Sequence, residues 1–223
     1  MKGPSKLLNQ QLDTIKFGLR NGEYANDSFR CIADLKRQMN GFDKPWFVAG
    51  GWTIDLFVGE VTRSHKDIDL CLFREDAEYA LEYFHEWDIY VAIPGEQRLE
   101  KVRGIQDIES PRYGLHMYKD KQFLEILLTN RTDDQILFRK NTRIQMSLDE
   151  FSKKSGELPY VNPAWQLLFK SLNPREEDEH DFLIYLHRSA AERPAKLWLQ
   201  ENMKAMNGSP RWIEELDKHL LKT

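Results

Sequence analysis

The sequence predicts an α/β fold, with a mixed sheet backed by helices, followed by a small helical domain. Two observations carry that expectation. Between Trp46 and Met146, short apolar runs alternate with stretches whose apolar residues recur at helical spacing. From Pro163 onward only the helical pattern remains. A chain of 223 residues suffices for one good core, or for one domain and a small helical partner.

Taken in order, Leu8, Leu12, Ile15 and Leu19 recur at helical spacing from Ser5 to Arg20, and Asn21-Gly22 stops that helix. A second helix is expected from Asn26 to Met39 on Phe29, Ile32, Ala33 and Leu35, ended by Asn40-Gly41. Both should pack on the back of the sheet. Trp46 to Ala49 reads as the first strand, Gly50 and Gly51 turn the chain, and Trp52 to Val58 forms a helix that Gly59 stops. A short polar loop, Glu60 to Lys66, leads to a strand over Asp67 to Phe73. There Ile68, Leu70 and Leu72 share one face, and Asp67, Asp69, Cys71 and Phe73 the other. The aliphatic row should meet helices, and the carboxylate row should line a cleft.

Glu75 to Glu86 predicts a helix with acidic residues in its first turn, and Trp87 to Ile93 a strand ended by Pro94-Gly95. Arg98 to Ser110 is polar and ambiguous. Tyr113 to Tyr118 and Phe123 to Leu128 read as a hairpin in which Leu124, Ile126 and Leu128 make one face. Glu125 lies opposite them, between Phe123 and Leu127. This repeats the pattern of the Asp67 strand, an aliphatic row behind and a carboxylate in front. A further strand pair is expected between Ile136 and Met146, and Ser147 to Glu150 has capping-box spacing. Ser155 to Pro159 reads as a linker and divides residues 1–155 from 156–223. Helices follow over Pro163 to Leu172, Pro174 to His187, Pro194 to Met203 and Pro210 to Leu221, the second opened by Asn173 as N-cap and Pro174 at its first position. Trp165, Trp198 and Trp212 should pack this bundle.

Hydrophobic residues at 41% and charged residues at 30% are those of an ordinary globular protein. A net charge of −4 argues against a broad nucleic-acid footprint. Cys31 and Cys71 fall inside a predicted helix and strand, so a reducing compartment is the simpler assumption. Met1 to Leu12 lacks the apolar core of a leader, and no run is long enough to span a bilayer. A cytoplasmic location is expected, without a membrane partner.

Asp67 and Asp69, two apart in a strand, project side by side. Two like charges held that close repel, and the arrangement is favourable mainly with a divalent cation between them. Hard oxygen ligands with open positions suit magnesium. Gly50 and Gly51 let the chain turn tightly and bring backbone N–H groups to a phosphate. A metal pair and a phosphate cradle on adjacent elements are what nucleotidyl transfer needs. Arg63 and Lys66, crowded just before the carboxylates, read as contacts to a triphosphate or its leaving group. His65 reads as an orienting residue, and Asp55 as a tie between its helix and the following loop. His180 and His187 lie two turns apart with no third ligand nearby, which argues against zinc.

Gly50-Gly51 followed by Asp67-Ile68-Asp69 resembles the signature of the DNA polymerase β-like nucleotidyltransferase superfamily. The fuller string from Gly50 to Gly59, then Arg63, His65, Lys66 and the aspartates, is similar to its aminoglycoside 2''-adenylyltransferase-like branch. Asn162 to Lys170, Asn173-Pro174-Arg175 and Asp178 to Phe182 resemble that branch's C-terminal region. Residues 52 to 66 make a longer gap than the minimal superfamily pattern, as is usual for this branch. The resemblance implies a third carboxylate on a neighbouring strand, as metal ligand or as base; Glu125 is the candidate, with Asp107 and Glu109 as competitors. It also implies Lys170 as a phosphate contact and two magnesium ions. Asp178 and Asp181 resemble the same region, but the acidic run around them reads as a solvated face or a pairing with Arg175. The expectation is an enzyme that moves a nucleoside monophosphate, AMP from ATP, to a hydroxyl of a small, aminoglycoside-like acceptor. The alternatives are a nucleotide-sensing module without transfer, and transfer to a protein or RNA.

Overall fold

The computed structural model describes residues 29–120, 122–189 and 191–221. The helix expected over Ser5 to Arg20, and the start of the next, lie outside them. Helix α1 is described over Arg30–Gln38 and buries Cys31, Ile32 and Leu35.

A 10-stranded mixed sheet organises the rest. Its strands are β1 (Trp46–Val48), β2 (Asp69–Phe73), β3 (Asp88–Ala92), β4 (Leu99–Lys101), β5 (Gly114–Lys119), β6 (Gln122–Thr132), β7 (Gln135–Leu137), β8 (Gln145–Ser147), β9 (Ser152–Ser155) and β10 (Leu158–Val161). The order is β4-β3-β5-β6-β2-β1-β10-β9, with β7 and β8 continuing from β6. β2 runs parallel to β6, and β1 parallel to β10. The other helices are α2 (Trp52–Val58), α3 (Ala77–Tyr83), α4 (Leu148–Phe151), α5 (Pro163–Ser171), α6 (Glu176–Arg188), α7 (Arg193–Ala205) and α8 (Pro210–Leu220).

The period-two pattern sorts the core into two layers. Leu70, Leu72, Leu124, Ile126 and Leu128 meet α1 and α3 on one face. Phe47, Cys71 and Phe73 face the other way and meet Phe151 and the helices α5 to α8. In that bundle Trp212 is fully buried and stacks on Phe182 at 4.3 Å, and Trp165 stacks on Trp198 at 5.8 Å. No helix among the described residues is long and apolar enough to cross a membrane.

Three expectations change. The strand read from Asp67 begins at Asp69; Asp67 and Ile68 come just before it, and the Ile68 carbonyl accepts the Glu125 N–H of β6 at 3.1 Å. The segment Ser155 to Pro159, read as a linker, is the turn of the β9–β10 hairpin: Gly156 takes φ +59° and Leu158 pairs with Ser155. Its strands were hidden because Ser-Lys-Lys-Ser carries no apolar alternation. Finally, the helix expected from Pro174 starts at Glu176. Asn173 N–H still closes the end of α5 on Lys170 O at 3.3 Å, and the Asp178 carboxylate takes the Arg175 N–H at 3.0 Å, which moves the cap to Arg175.

Candidate active site

The glycine turn after β1 sets the site. Gly50 has φ +65°, a left-handed conformation that penalises any side chain. A Cβ there would fall 1.8 Å from Asp69 Oδ2, so the carboxylate lies directly over bare backbone. A Cβ on Gly51 would fall 2.1 Å from Arg63 Nη2 and 2.9 Å from His65 Nδ1. Both positions exclude a side chain because functional groups occupy that space.

Helix α2 then anchors the loop that follows it. The Asp55 carboxylate, fully buried, accepts the Thr62 N–H at 3.0 Å and the Thr62 hydroxyl at 2.7 Å, and pairs with His65 Nε2. His65 stacks on Trp52 at 4.1 Å, and Trp52 Nε1 donates to Asp67 O at 3.2 Å. Thus the Trp52, Asp55 and His65 side chains fix Arg63 on one side of the loop and Asp67 on the other.

Gly50, Gly51, Arg63, Lys66, Asp67, Asp69 and Lys170 line one cavity, together with His65, Gln166, Arg175 and Glu177. The cations arrive from three segments. Arg63 belongs to the loop after α2, Lys170 to α5 and Arg175 to the cap of α6. Burial opposes the charge on Arg63, but hydrogen bonding and attraction from Asp181 outweigh it and hold the guanidinium above its usual value. The hydrogen bond to Asp178 raises Arg175 against the effect of burial, with further attraction from Glu177 and Asp67. Lys66 reaches Glu177 at 3.4 Å, an exposed pair of little energetic weight.

Glu125 is not among the residues lining that cavity. It lies beside it: β6 pairs with β2 in a register that sets Glu125 opposite Asp69. On its other side β5 places His116, whose Nε2 is 3.8 Å from Glu125 Oε1. Asp107 instead accepts the Arg103 N–H at 2.7 Å within its own loop, and Glu109 is exposed. Among the described residues no group of three or more His, Cys, Asp and Glu side chains forms a metal cage. Two hard carboxylates, with positions left for phosphate oxygens and water, are nonetheless the donor set that suits magnesium in substrate-sharing sites.

Sequence reasoning missed the acidic pair on α6. Asp181 and Asp178 are not a solvated face; they are 0% and 2% exposed. Asp178 does pair with Arg175, but also with Lys170, and Asp181 takes Arg63 from across the fold. The Asn-Pro-Arg and Asp-x-x-Asp strings were visible, but partners 118 residues apart were not.

Residues 31–103 match the family model described as Aminoglycoside-2''-adenylyltransferase. That segment holds the glycine turn, Arg63, Asp67 and Asp69, so the resemblance read from the sequence is confirmed there. A lincosamide antibiotic adenylyltransferase, LnuA, in its lincomycin-bound crystal structure, is similar with a TM-score of 0.51 and 19% identity. The likeness covers 71% of this chain and 96% of that one. The chain has the fold of the nucleotidyltransferases. A second structure with this fold, ANT(2")-Ia in complex with adenylyl-2"-tobramycin, gives a TM-score of 0.50 and 15% identity over 78% of this chain and 96% of that one. Among curated proteins no sequence matches the chain. The family match and the nucleotidyltransferase fold together indicate a nucleotidyltransferase.

Proposed function

We propose that this chain is a magnesium-dependent enzyme that transfers a nucleoside monophosphate, AMP from ATP, to a hydroxyl of a small antibiotic-like acceptor of the aminoglycoside type. The observation that carries it is the row Gly50, Asp69, Glu125. Bare backbone, a cavity-lining carboxylate and a second carboxylate stand side by side, with the cations of Arg63, Lys170 and Arg175 around the same cavity. Family and fold support the transfer, and the two similar structures, an adenylyltransferase and a complex with an adenylylated aminoglycoside, support the adenylyl donor.

In this reading Asp67 and Asp69 hold the metal, with Glu125 as a third ligand or as the base that takes the acceptor's proton. Bound magnesium supplies charge neutralisation on the phosphates and the departing pyrophosphate. The Gly50-Gly51 backbone and Arg63 hold the triphosphate, while Lys170 and Lys66 add positive charge along it. Residues 1–155 carry the glycine turn and the carboxylates, and residues 156–223 close the cavity from the other side.

The test is pyrophosphate release from ATP and magnesium across a panel of aminoglycosides and lincosamides, repeated with chelator. Asp69→Asn should lower kcat by about 10³-fold, the equivalent of roughly 4 kcal/mol of transition-state stabilisation. Turnover by that variant at the wild-type rate would sink the proposal.

A further inference from the structure

Negative side chains beside a phosphate cradle oppose the binding of a phosphate, yet α6 puts two of them there. Asp181 accepts two parallel bonds from Arg63, from Nε at 2.6 Å and Nη2 at 2.8 Å, and a third from Lys170 Nζ at 2.9 Å. Asp178 accepts from the same Lys170 nitrogen and, at 3.1 Å, from Arg175 Nε. Lys170 therefore bridges the aspartates, and cations from three segments converge on one turn of α6. Two carboxylates against Arg63, Lys170 and Arg175 leave a surplus of one positive charge.

Three of the five N–H donors of Arg63 are engaged, which leaves two for an incoming anion. Its Nε–Nη2 edge is taken by Asp181, Nη1 donates to Ser64 O at 3.0 Å, and Nη2 lies where a Cβ on Gly51 would be. The guanidinium is thus held against Gly51 on one side and Asp181 of α6 on the other, on the wall of the cavity that Asp67 and Asp69 also line.

We propose that Asp181 is a positioning residue. It fixes the Arg63 guanidinium and the Lys170 ammonium before the nucleoside triphosphate arrives, so that these donors need no reorganisation as charge moves onto the leaving pyrophosphate. This deepens, and rests on, the nucleotidyl-transfer reading. Charge alone predicts a different outcome. Removing Asp181 raises the positive surplus, which should tighten binding of any phosphate and leave the chemical step unharmed.

Asp181→Asn separates the two. Positioning predicts that the variant binds inorganic tripolyphosphate at least as tightly as wild type by calorimetry, while kcat falls about 30-fold or more and KM for ATP stays within about 3-fold, because the loss is of preorganisation. The Arg63 Nε–H resonance should exchange slowly in the wild type, where Asp181 accepts it at 2.6 Å, and be lost in the variant. Asp181→Glu keeps the charge, protects against a folding failure and should show the same split. A kcat within twofold of wild type in both variants, or an unchanged Arg63 Nε–H resonance in Asp181→Asn, overturns the proposal. Absence of turnover in the wild type would remove the transfer reading instead, and the resonance would still decide whether Asp181 holds Arg63.

Discussion

Asp55 supports the site without touching the cavity. Its two oxygens serve three partners, the Thr62 N–H, the Thr62 hydroxyl and His65. Asp55→Ala would leave a buried imidazole and a backbone donor without acceptors, and should cost about 3 kcal/mol, read as a fall in the urea midpoint. The same variant should weaken nucleotide binding, because the loop carrying Arg63 and Asp67 loses its tie to α2. Gly50→Ala fails for a different reason. The left-handed backbone adds about 1–2 kcal/mol of strain, and the new methyl displaces the Asp69 carboxylate. Transfer should be abolished while the thermal midpoint falls only by the strain, and unaltered turnover would show that Asp69 need not lie over the turn.

At the scale of elements, the bundle on the second face depends on a few large side chains. Trp212, fully buried against Phe182, joins α8 to α6; Trp212→Ala should cost about 3–5 kcal/mol in a denaturant melt. Its indole N–H also donates to Glu179 at 2.7 Å, so Trp212→Phe should cost less than the alanine variant but more than nothing. Elements with strong periodicity were readable in advance. β2 and β6 alternate cleanly, and the faces assigned to Leu70 and Leu124 are the ones they occupy. The hairpin of β5 and β6 was also legible, as were α5 and α8, each opened by a proline with a capping residue before it. β9 was not legible, because its residues are polar and at most half-buried. The start of α6 was misplaced because its cap is set by the Asp178 side chain rather than by Asn173. Within the site, local chemistry such as the glycines and the Asp67–Asp69 pair could be read, whereas the pairing of Arg63 with Asp181 depends on tertiary packing that no spacing encodes.

For the whole molecule, the charge cluster sets a limit at low pH. Burial would raise the Asp178 carboxyl, but hydrogen bonds from Arg175 and Lys170 outweigh it and hold the group below the usual aspartate value of 3.8. A group depressed in the folded state contributes stability that is present above its unfolded value and lost as pH falls through its folded one. Thermal midpoints should therefore drop below about pH 4, and Asp178→Asn, less stable at neutral pH, should show a shallower drop. An equal slope in both proteins would assign the acid sensitivity elsewhere.

The pairing of β1 with β10 has a consequence for how the chain is made. Val48 faces Tyr160 in a parallel register, so the first strand of the sheet acquires its second neighbour only when a segment about 110 residues downstream has left the ribosome. During that interval the apolar edge of Trp46 to Val48 has an open row of hydrogen-bonding groups, the kind of edge that recruits stray strands. Lys170 and Asp181 emerge later still, so the nascent chain holds its carboxylates and glycine turn well before α5 and α6 supply the opposite wall of the cavity.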